Sequence, residues 1–175
     1  MERGMDFLKS QVNNAVMLHA TFCKNLVDHE SQAEDPRFRD LCTRYIPLMQ
    51  GHQRMLEDYQ RELGSDAGAG KKILGKALGI ARDLADAARE DDFLRLVGDI
   101  VVSRQCEDTF KTFREAGKQL ANDRLREIGD KCERDHDRYA DEANRLCQTV
   151  FVEHVRGIDV VGAAARIDTQ SGISR

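Results

Sequence analysis

Residues 122–155 read NDRLREIGDKCERDHDRYADEANRLCQTVFVEHV. Leu125, Ile128, Cys132, His136, Tyr139, Ala143, Leu146 and Val150 recur at spacings of three and four. They therefore share one face of an α-helix, and the residues between them are mostly charged or polar. Asn122 is a good N-cap, so the stretch predicts one long amphipathic helix reaching about Val155. A helix with a single apolar face needs partners to cover that face.

The same period appears three more times upstream. A helix over about 92–116, stopping at Gly117, has the seam Phe93, Leu96, Ile100, Ser103, Glu107 and Phe110. A helix from about Asp6 to Glu30 has the seam Leu8, Val12, Ala15, His19, Phe22 and Leu26. After the turn SQAEDP at 31–36, Asp35 reads as an N-cap and Pro36 as the first helical residue. That helix runs to about Leu63 and stops at Gly64, with the seam Leu41, Tyr45, Leu48, His52, Met55 and Tyr59. Pro47 lies inside it and predicts a kink. Short turns join the first pair and the last pair, so each pair is an antiparallel hairpin. Residues 64–91 differ: GSDAGAG is followed by KKILGKALGIARDLADAARE, a short amphipathic helix weakened by Gly75 and Gly79. Two hairpins joined by one long crossover predict an all-α, ferritin-like four-helix bundle over residues 1–156, with the crossover at 64–91. The tail at 157–175 has no sustained period.

Charge and composition remove several function classes. The net charge is −4 with both signs mixed along the chain. No basic stripe tracks a phosphate backbone, so nucleic-acid binding is not expected. No apolar run approaches the roughly 20 residues of a membrane span, and the N-terminus lacks the apolar stretch of a secretory signal. The five cysteines, Cys23, Cys42, Cys106, Cys132 and Cys147, are an odd count with no CxxC pair. They read as reduced core residues of a cytoplasmic protein. The run Gly68-Ala69-Gly70-Lys71-Lys72 fails as a phosphate loop, because Ser65 and Lys72 stand where Gly and Ser or Thr are needed. Ile73, Leu74, Leu78 and Ile80 on the crossover need an apolar cover, which points to a homo-oligomer.

What remains is a set of titratable groups on the inward seams: His19, His52, Glu107 and His136. Such groups are costly to bury unpaired. Glu133 and His136 form an E-x-x-H pair on one helix face. Glu107 lies ten residues before Gly117 and Glu133 ten after Asp123, so the two stand at similar heights in their hairpin. Carboxylates and imidazoles converging in a bundle core are the means by which di-metal carboxylate bundles hold iron or manganese, and imidazole also suits zinc. The candidate ligands are His19, His52, Glu107, Glu133 and His136, for one or two transition-metal ions.

The chain resembles the ferritin-like superfamily, in particular the bacterial stress-associated YciE/YciF-type bundles, over about residues 6–63 and 92–155. The second-helix stretch L-M-Q-G-H-Q-R-M-L-E-D resembles that family's E-T-Q-G-H-x-x-R-L-E region, and Glu107 and E-R-D-H of the fourth helix match the family's ligand places. The resemblance implies a metal-binding bundle with a possible part in stress protection. The chain departs from the pattern in having His19 where the first helix carries Glu, and Met49 where the second E-x-x-H begins. The alternative reading is a metal-free relative acting as a structural or protein-interaction module.

Overall fold

The computed structural model describes residues 2–65 and 91–157. Among these residues there are four helices and no strand: α1 (Glu2–Gln32), α2 (Pro36–Glu62), α3 (Asp92–Gln119) and α4 (Asp123–Val155). The helix starts are set by side chains that satisfy otherwise orphaned amides. Asp35 accepts from the Arg37 amide, Asp91 from the Phe93 amide and Asn122 from the Leu125 amide. No described helix is long and apolar enough to cross a membrane.

Contacts between the helices fix their directions. At one end, the Gln32 carbonyl near the end of α1 meets Arg95 near the start of α3, and Arg37 at the start of α2 pairs with Glu153 near the end of α4. At the other end, Tyr59 of α2 accepts from Asn122, which caps α4. So α1 and α2 are antiparallel, α3 runs beside α2's direction, and α4 returns beside that of α1. The end of α2 and the start of α3 stand at opposite ends of the bundle, about 40 Å apart by helix rise. The expected crossover helix and C-terminal tail, residues 66–90 and 158–175, lie outside the described residues.

The core is the apolar seams meeting. Val12, Phe22, Leu26, Phe38, Met49, Leu56, Leu96, Leu125, Ile128 and Tyr139 are fully buried. On α2 the inward face differs from the expected one: Met49 and Leu56 are buried, while Leu48 is exposed and Met55 only partly covered. A spacing of 3.6 residues tolerates either neighbour of a strict four-three alternation, and packing within the bundle core selects Met49. α2 runs through Pro47 as one helix.

The α3 seam carries a residue the periodicity passed over. Asp99 is fully buried; its Oδ2 accepts from the Tyr139 hydroxyl at 3.1 Å and lies 2.9 Å from His29 Nδ1. His29, near the end of α1, is therefore half-buried. Burial and the adjacent Asp99 hold the Tyr139 phenol well above its ordinary pKa.

Two glycines bring α3 and α4 unusually close. A Cβ on Gly129 would sit 2.7 Å from the Phe110 carbonyl and closer still to the Arg114 amide; one on Gly117 would sit 2.7 Å from Arg126 Cα. Gly117 is thus a packing position. α3 continues past it to Gln119, and Ala121, at φ 50°, takes the left-handed turn. Because the obstructing atoms are backbone, Gly129→Ala should destabilise the protein by about 1–3 kcal/mol despite alanine's better helix propensity. Urea unfolding midpoints measure this; an unchanged or raised midpoint would show that α3 and α4 are not in close contact there.

Candidate metal centre

His19 comes from the middle of α1, His52 from α2 and His136 from α4, and the antiparallel pairing brings them to one level. Ring centroids are 5.1 Å apart for His19 and His136, 6.1 Å for His19 and His52, and 6.2 Å for His52 and His136. One ligand nitrogen from each lies within 4.8 Å of those of the other two, and all three residues are buried. This trio could hold a metal ion.

The hydrogen bonds decide which nitrogen of each ring is free. Gln53 Nε2 donates to Glu57 Oε1 at 2.8 Å and to the Val16 carbonyl at 3.4 Å, so its Oε1 faces His19 Nδ1 at 2.9 Å as an acceptor. His19 therefore carries its proton on Nδ1. His52 Nε2 lies 3.0 Å from Asp135 Oδ2, a carboxylate that takes the ring's N–H. Ser103 spends its hydroxyl proton on the His136 carbonyl at 3.2 Å, leaving its oxygen to accept from His136 Nδ1 at 3.0 Å. The remaining nitrogens, His19 Nε2, His52 Nδ1 and His136 Nε2, are buried and have no hydrogen-bond partner. Each is an unprotonated lone pair. An unsatisfied buried polar atom costs about 1–3 kcal/mol, and three acceptors cannot satisfy one another. A cation satisfies all three at once.

The support is passed round the bundle. Gln53 of α2 holds the histidine of α1, Asp135 of α4 holds that of α2, and Ser103 of α3 holds that of α4. A partner on the far nitrogen fixes ring orientation and tautomer and raises the basicity of the ligating one, as at metal-bound histidines generally. Electrostatics also favour the ligand form. Burial pushes His19 down to about 4, against its hydrogen bond to Gln53 and helped by His52. Burial, then His19 and His52, holds His136 well below its ordinary value. Burial lowers His52 too, against the pull of Asp135. At neutral pH all three imidazoles are uncharged and ready to bind. The walls are aromatic: Phe22 packs 5.0 Å from His136, and Phe110 lies 5.4 Å from His136 and 5.9 Å from His19.

The structure does not bring Glu107 and Glu133 into this group. Glu107 accepts from Arg104 at 2.6 Å and from Lys111 at 2.5 Å, cations one turn away on its own helix. Glu133 pairs with Arg114 across the close α3–α4 contact. Each carboxylate is thus matched to cations on α3, away from the three lone pairs. Cys132 also lies outside the trio; burial holds its thiol well above the usual range. Compared with protein-family models, curated proteins and solved structures, the chain matches none.

Proposed function

We propose that this bundle is a metal-binding protein that holds a single transition-metal ion on His19 Nε2, His52 Nδ1 and His136 Nε2. The observation that carries this reading is three buried imidazoles whose ligand nitrogens lie within 4.8 Å of one another, each ring oriented by a separate residue and each with one nitrogen that has no partner. Manganese favours oxygen donors, whereas neutral imidazole suits zinc and ferrous iron. An all-nitrogen trio therefore favours zinc, with ferrous iron next. Up-down-down-up helix directions support placing the chain among ferritin-like bundles. Its site differs from a paired-carboxylate di-metal centre, since both candidate glutamates are engaged by cations.

Two conservative substitutions test the assignment. Asp135→Asn removes the carboxylate behind His52 and should weaken zinc binding by about 10- to 100-fold. Glu133→Gln, in a residue the earlier ligand pattern would require, should leave zinc affinity unchanged. Competition against a chromogenic chelator gives both values. Loss of zinc in the Glu133 variant would restore the carboxylate site. A parent protein that takes up neither zinc, iron nor manganese would leave the metal-free interaction module as the reading.

A further inference from the structure

Resting on the metal site proposed above, we infer that its ion keeps one coordination position for a small anion, which reaches it past Asp135 between Lys131 and Arg138. The first ground is the donor count. Among the described residues, no fourth His, Cys, Asp or Glu ligand atom joins the trio, and the adjoining rings of Phe22 and Phe110 offer no donor. Three protein ligands on a tetrahedral ion leave one place open.

The second ground is charge. Ligating imidazoles bring no charge of their own, so a divalent ion there meets carboxylates only through other side chains, Asp135 behind His52 at 3.0 Å and Glu57 behind Gln53. Glu107 and Glu133 are already matched by Arg104, Lys111 and Arg114. An uncompensated charge in a low-dielectric core is expensive, and an anion on the open position offsets it. The third is size. His19 and His136 are 0% exposed and Phe22 and Phe110 lie against them, an enclosure that favours a ligand of a few atoms.

The fourth ground is the approach. At the α2–α4 seam, beside His52, the Asp135 side chain is 15% exposed. Lys131 and Arg138 stand one turn to either side of it on α4, both exposed. Arg138 lies 4.0 Å from Asp135 Oδ1. This cationic rim attracts an anion toward this partly open edge.

Cobalt(II), which reports its coordination in its visible spectrum, is the probe ion, and azide the probe anion. The full chain is loaded with cobalt, its metal content is measured, and azide is titrated in. One cobalt per chain with a four-coordinate spectrum that shifts saturably with azide is the expected result. Lys131→Glu combined with Arg138→Glu should weaken azide several-fold at unchanged cobalt content. Bound cobalt whose spectrum ignores azide, or shows thiolate charge transfer, overturns the open position while leaving the metal site standing. Azide binding unaffected by the double substitution overturns the approach. Absence of bound cobalt, read before azide is added, overturns the metal site itself and the inference with it.

Discussion

Zinc at about one hundred times its dissociation constant should raise the thermal midpoint of this protein by roughly 5–10 °C, and His136→Ala should abolish that rise. The size follows from linkage. Saturation at that excess adds about 2.7 kcal/mol to the folded state. A domain of this length gains about 2–4 °C per kcal/mol. The site draws its ligands from α1, α2 and α4, so the ion ties three of the four helices together and is lost when they separate. His136→Ala will itself lower the midpoint, because it empties core volume and removes the ring N–H that Ser103 accepts. The comparison is therefore the zinc-induced shift within each protein. Differential scanning fluorimetry on both, with Glu133→Gln as a variant that keeps the shift, gives the answer. A shift that survives in the His136 variant would place the ion elsewhere.

Metal-free protein should lose stability steeply between about pH 6.5 and about pH 4. The three histidines titrate at about 6.5 in the unfolded chain, whereas His19 is pushed down to about 4, His136 lies well below its ordinary value and His52 is lowered. Above about 6.5 both states hold these rings neutral, and they add no pH dependence. Below it the unfolded chain binds protons that the folded chain refuses, so stability falls with pH until the folded rings titrate. Each ring contributes about 1.4 kcal/mol per pH unit for as long as it is neutral in the folded chain and protonated in the unfolded one. Carboxylates act lower: Glu153, held low by Arg37, contributes its loss only below the ordinary glutamate range. Urea midpoints from about pH 7 to about pH 4.5 measure the slope, and zinc should move the decline to lower pH. A flat profile through this range would mean that the rings are charged or wet in the folded state.

The helices were legible because their apolar residues recur at helical spacing and their starts carry Asp35, Asn122 and Pro36, whose chemistry is local. The inward registers of α2 and α3 were less so. Met49 or Leu48, and Asp99 or Ile100, are separated by a fraction of a turn, and the neighbouring helix chooses between them. His19, His52 and His136 stood out as titratable groups on apolar seams. Gln53 and Asp135 did not, although each adjoins a seam histidine in sequence. Successive helix residues point about 100° apart, so each serves the histidine of a different helix, a relation that exists only after the helices pair. A polar residue beside a seam histidine is the signal that was available. Glu107 and Glu133 matched a ligand spacing, but Arg114 reaches Glu133 only because glycines bring α3 against α4. That closeness is not written in the spacing.

The account turns on three imidazoles around one ion, and X-ray absorption at the zinc edge reads that shell directly. The protein is equilibrated with one equivalent of zinc, desalted and measured. The expected spectrum shows a light-atom first shell at about 2.0–2.1 Å with outer-shell scattering from three imidazole rings. Protein that emerges without zinc, or zinc whose first shell contains sulfur or lacks imidazole scattering, would contradict the account.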